Sequence, residues 1–73
     1  MTKYTIHAGD NSTDLGQVST AETLAGAKLK GRAAVARMLP DGDGTYTVRD
    51  GHGQDVLRGE RSIRTAGQWV ERS

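Results

Sequence analysis

The sequence predicts an α+β fold, with one helix packed on a small antiparallel sheet. The element order is ββαβββ, or βαβββ if the first hairpin does not close. Three observations predict it. Residues 19–39 (STAETLAGAKLKGRAAVARML) form the one long segment with helical periodicity. Residues 3–8 (KYTIHA) and 45–50 (TYTVRD) alternate and are rich in strand formers. Asp50-Gly51-His52-Gly53 between two such runs is a hairpin signal. With 73 residues, there is room for one domain, residues 1–73, and a small core.

In residues 3–8, Tyr4 and Ile6 should share a face. Gly9 and the run Asp10-Asn11-Ser12-Thr13-Asp14 have the chemistry of a turn, because these side chains bond their own backbone readily. Residues 15–18 can return as a short strand, weakened by Gly16. Ser19-Thr20-Ala21-Glu22 fits a capping box, in which the hydroxyl of Ser19 and the carboxylate of Glu22 each accept from the other residue's amide. At 100° steps the apolar face collects Leu24, Ala27, Gly31, Ala34, Val35, Met38 and Leu39. Gly31 lies mid-face and implies close approach to a strand. Pro40 stops the helix. Asp41-Gly42-Asp43-Gly44 is a tight loop. Residues 55–63 continue as a strand, with a bulge or bend expected at Gly59. Ala66-Gly67 is a turn, and residues 68–72 are a last strand anchored by Trp69.

Charge is uneven along the chain. Residues 1–27 carry one Lys against three acids, residues 28–39 carry four bases and no acid, and residues 40–73 carry five Arg against six acids. The whole chain is therefore only +1, but its basic character is local, as an anionic partner would require. Lys28, Lys30, Arg32 and Arg37 could neutralise phosphates or pair with an acidic protein surface. The alternative is a merely solvated helix face. By periodicity Lys30 and Arg37 lie opposite the apolar face, with Lys28 and Arg32 on its flank. Arg49, Arg58, Arg61, Arg64 and Arg72 recur through the C-terminal sheet, where they could contact a groove or backbone. Six acids interleave with them, so cross-strand ion pairs are the expected use.

Other chemistry finds little support. There are no cysteines, so neither a disulfide nor a Cys-based zinc site can form. No apolar run is long enough to span a membrane. The first residues lack an apolar region, so no signal peptide is expected and the setting is read as cytoplasmic. Asp41 and Asp43 lack the further ligands of a calcium loop. His7 and His52 have no second metal-binding partner nearby in sequence. No nucleophile or acid–base motif stands out, so no catalytic residue, metal or cofactor is assigned.

Three stretches carry a resemblance: Ser19-Thr20-Ala21-Glu22-Thr23-Leu24 with Ala27-Lys28, the strand Gly44-Thr45-Tyr46-Thr47-Val48, and Gly67-Gln68-Trp69-Val70-Glu71. In these and in element order, the chain resembles the small phage-encoded anti-CRISPR proteins that act on type I surveillance complexes. The loop at residues 9–14 and the arginine density are its own. The resemblance implies stoichiometric inhibition, by occupying a nucleic-acid or nuclease-recruitment site on a CRISPR effector.

The expected function is therefore a non-enzymatic interaction protein whose partner-binding residues are Lys28, Lys30, Arg32, Arg37, Arg49, Arg58, Arg61 and Arg64. Two alternatives stand beside it. One is a nucleic-acid-binding module using the basic helix and the strand arginines. The other is a structural protein that forms homodimers or larger oligomers through an apolar patch.

Overall fold

Strand alternation builds the sheet. In β3 (Gly44–Arg49), Gly44, Tyr46 and Val48 are buried, whereas Thr45, Thr47 and Arg49 are half-exposed. This two-residue period marks a strand with one dry and one wet face. In β1 (Tyr4–Gly9), Ile6 and Ala8 are buried on the dry face and Tyr4 packs against the same core. The computed structural model describes residues 3–9, 14–38 and 43–73. The other elements are β2 (Asp14–Ala21), α1 (Leu24–Met38), β4 (Asp55–Arg61), a 3-10 turn (Ile63–Thr65) and β5 (Val70–Arg72). The five strands form one antiparallel sheet in the order β2-β1-β3-β4-β5, and α1 covers one face. The fold is α+β with the order ββαβββ.

The first hairpin closes, and its second strand runs further than the sequence suggests. Tyr4 pairs with Ala21, Thr5 with Thr20 and Ile6 with Ser19. Ser19-Thr20-Ala21 is therefore strand, not helix cap. Pairing with β1 and burial of Ala21 outweigh the local capping preference. The helix starts four residues later than expected. Thr23 is its cap: its Oγ1 accepts from the amide of Gly26 at 3.0 Å, and its carbonyl accepts the first helical bond from Ala27 at 2.9 Å. Leu39, Pro40, Asp41 and Gly42, with the expected helix stop and half of the expected loop, lie outside the described residues, as do residues 10–13 of the first turn.

On α1, Ala27, Gly31, Ala34 and Val35 are buried as the periodicity predicts, while Leu24 and Met38 at the ends are about two-fifths exposed. The core joins them to Ile6, Ala8, Ala21, Tyr46 and Val48. Tyr46 is its largest member and is fully buried. Its ring lies between two glycines. A Cβ on Gly31 would stand 2.4 Å from the ring's Cδ1, and one on Gly59 would stand 2.1 Å from Cε2. Gly31 thus permits the close approach expected of it. Gly59 is no bulge: β4 runs straight through it as the cross-strand partner of Tyr46, and the ring covers the place a side chain would fill. The irregularity between β3 and β4 lies instead near Val56, between Val48 and Arg49 of the partner strand.

The hairpin between β3 and β4 forms where expected. Asp50 Oδ1 accepts from the amides of His52 and Gln54 at 2.8 and 3.0 Å, and the positive φ falls on Gly53. After β4 the chain turns at Ser62, earlier than the expected strand end. The Ser62 and Thr65 side chains cap each other's backbone there. Ala66 and Gly67 both take positive φ, completing the expected turn before Trp69.

Candidate functional site

Three of the eight cations singled out in the sequence serve the fold. Gly59 pairs with Tyr46 on one side and with Glu71 of β5 on the other. With no side chain at Gly59, the Tyr46 hydroxyl spans the gap and donates to the Glu71 carboxylate. The same carboxylate accepts a two-pronged bond from the Arg32 guanidinium, with Nε at 3.2 Å, and has Lys28 Nζ at 3.8 Å. Trp69 meets Tyr46 edge-on at 5.4 Å, and Arg61 stacks over Trp69 at 5.2 Å. The Glu71 side chain is only 10% exposed. Burial raises its pKa, but the bonds from Arg32 and Tyr46 and the charges of Arg32 and Lys28 outweigh it, so the carboxyl is held below its usual value. Burial and the bond to Glu71 push the Tyr46 phenol up, and the bond to Glu71 holds Arg32 more firmly protonated. Lys28, Arg32 and Arg61 therefore fasten β5 and Trp69 to the helix. The role of Glu71 was not legible in the sequence, because its partners lie 25 and 39 residues away.

The outer surface of α1 differs from its expected form. At about 100° per residue, the direction opposite the buried stripe is occupied by Ala25, Leu29, Ala33 and Ala36. All four are exposed, and Leu29 is 66% exposed. Lys30 and Arg37 stand along one margin of this stripe, not at its centre. Lys30 Nζ is moreover 2.7 Å from the Thr20 carbonyl at the end of β2, and Arg37 is exposed. Lys28 and Arg32 border the other side and lean onto Glu71. The face read as basic is thus an apolar ridge between two cationic margins. The spacing 25, 29, 33 and 36 carried the signal, but it is weak because three of the four residues are alanine.

The uncovered face of the sheet collects polar residues in cross-strand rows. One row reads Thr20, Thr5, Arg49, Asp55, and the next reads Gln17, His7, Thr47, Arg58, Arg72. Arg49 Nε pairs with Asp55 at 3.0 Å, the expected kind of cross-strand ion pair. Arg58 and Arg72 instead face each other, and among the described residues neither has a carboxylate at ion-pair distance. Arg61 projects to the helix side, and Arg64 is exposed in the 3-10 turn. The eight cations therefore divide among the side-chain knot, the helix margin, the uncovered sheet face and the turn. Tyr46 and Trp69 are spent on the knot and Tyr4 on the core, so the wet face offers no described aromatic ring for base stacking. Among the described residues, no three His, Asp or Glu side chains are grouped to hold a metal, and no helix is long and apolar enough to cross a membrane.

No protein-family model, curated protein or solved structure matches this chain.

Proposed function

We propose that this chain is a non-enzymatic interaction protein that binds an acidic protein or nucleoprotein surface through the outer face of α1. The observation that supports this reading is Leu29, a large apolar side chain 66% exposed on the helix surface. Alanines surround it, and Lys30 and Arg37 border it. An apolar anchor with a charged rim is the usual anatomy of a protein interface: the anchor supplies affinity, and the rim steers association and selects the partner's charge. A phosphate backbone would make no use of an exposed leucine.

The resemblance to anti-CRISPR proteins supplies the class of partner. The reading is a small phage-type inhibitor, acting in the host cytoplasm, that occupies a nucleic-acid or nuclease-recruitment site of a type I CRISPR effector. A pull-down with purified type I complex tests it. The parent should be retained and Leu29→Glu should be lost, with the variant's unfolding midpoint little changed because Leu29 is 66% exposed. If the parent itself is not retained, the effector is not the partner. If Leu29→Glu binds as well as the parent, the helix face is not the interface.

A second reading, a nucleic-acid-binding module, is favoured by Arg49, Arg58 and Arg72 sharing the uncovered sheet face. It predicts a gel shift of a random duplex at low salt that disappears steeply as salt rises. A third reading is self-association through the Leu29 ridge, which requires two cationic margins to approach one another. Sedimentation across a range of concentrations separates it from the first.

A further inference from the structure

On the opposite side of the molecule from α1, Arg58 and Arg72 are direct cross-strand partners on β4 and β5. Adjacent strands lie about 4.8 Å apart, so two guanidinium stems rise side by side from one patch of sheet. Like charges placed directly opposite each other destabilise a sheet. Two other arginines of the fold are matched: Arg49 has Asp55, and Arg32 has Glu71. Arg58 and Arg72 are both exposed and have no such match among the described residues. They line a shallow cavity of about 320 Å3 with Glu60 and Val70.

We propose that Arg58 and Arg72 form a binding site for a single phosphate monoester. Two planar guanidinium forks can each give a tetrahedral oxyanion paired, charge-assisted hydrogen bonds, which a single point charge cannot. An anion seated between them removes the repulsion that the bare pair carries. The neighbours set the specificity. Thr47, the partner of Arg58 on its other side, adds a hydroxyl to the same row. Val70, 41% exposed, offers an apolar wall to the carbon of an ester. Glu60, two residues from Arg58 on the same face, pairs with Val70 across the strands and borders the cavity with negative charge. A continuous polyanion laid across the sheet would bring its next phosphate against Glu60, so the site selects one isolated phosphate. This site is independent of the helix interface and can fail or stand without it.

The test is an NMR titration of 15N-labelled protein, following the arginine Nε–Hε signals at constant ionic strength. Inorganic phosphate and O-phosphoserine are the probes, and chloride is the control. Expected are saturable shifts at Arg58 and Arg72 with millimolar Kd, with phosphoserine binding at least as tightly as phosphate. Arg58→Gln and Arg72→Gln should each weaken binding about tenfold, whereas Arg49→Gln, on the same face but paired with Asp55, should not. Backbone amide spectra check that each variant is folded. Shifts no larger than those from chloride overturn the proposal, and so does unchanged affinity in Arg58→Gln. Weaker binding of phosphoserine than of phosphate overturns the ester assignment. A short DNA duplex that binds tighter than phosphoserine, with a salt slope well beyond the value of about 1 expected for a single ion contact, overturns it in favour of an extended backbone surface.

Discussion

Replacing Gly31 or Gly59 by alanine drives a methyl group into the ring of Tyr46, which is fully buried and cannot step aside. Overpacking of this kind costs about 1–3 kcal/mol. The two sites should nevertheless differ. Alanine at either position recovers about 0.5–1 kcal/mol of backbone entropy, but a Cβ at position 59 would press closer to the ring, at 2.1 Å against 2.4 Å. Gly59→Ala is therefore expected to be the more damaging variant, read as the larger fall in urea midpoint. Gly51→Ala is the control: its Cβ would meet nothing nearer than the Lys3 carbonyl at 4.0 Å, and it should stay within about 0.5 kcal/mol of the parent. The role of Gly31 was legible because it interrupts an apolar helix face. The role of Gly59 was not, because a glycine in a strand reads as a bend until the residue across from it is known.

At the scale of elements, the start of α1 shows what local pattern can and cannot settle. The run Ser19-Thr20-Ala21-Glu22 has the side chains of a capping box, yet it completes β2, and Thr23 caps the helix. Thr23→Ala should cost about 1 kcal/mol of stability, while Ser19→Ala should cost little in comparison. Its hydroxyl makes only a long bond of 3.5 Å to the adjacent Thr20 carbonyl. Equal losses in thermal unfolding of the two variants would contradict this assignment. The buried stripe of α1, the clear strand β3 and the turn at Asp50 were all legible, since each depends on neighbours close in sequence. The outer ridge around Leu29 was not legible, because three of its four residues are alanine and give little apolar contrast. The Arg58–Arg72 juxtaposition depends on strand register, which the sequence does not state.

For the molecule as a whole, the ionised state of Glu71 ties helix, sheet and C-terminal strand together. Its carboxyl sits below the unfolded value of about 4.3. The stability this contributes is complete above that value and is lost as pH falls through the folded pKa. Asp50, held low chiefly by the amide of Gln54 and further by that of His52, acts in the same direction. The parent should therefore lose stability steeply below about pH 4. Glu71→Gln should be less stable at pH 7 and should show a shallower acid slope, with the remainder due partly to Asp50. Urea midpoints of both proteins between pH 7 and 3 measure the difference. An identical slope in the two would show that Glu71 is not a source of acid sensitivity.

The carboxylate of Glu71 also bears on the order in which the chain reaches its final form. Its bond to Arg32 closes a loop of 39 residues, comparable with the 36–44 residues between the paired positions of β1 and β3, whereas β1 with β2 and the run β3-β4-β5 pair over no more than 17. Closing a long loop delays a contact more than it weakens it, because the entropy grows only logarithmically with length. The β1-β2 hairpin and the β3-β4-β5 run can therefore each assemble before they join. Their joining pairs β1 with β3, seats Tyr46 against Gly31 and sets Glu71 against Lys28 and Arg32. Until that step Lys28 and Arg32 have no carboxylate to face, and afterwards both lie against Glu71 while Arg37 stays exposed.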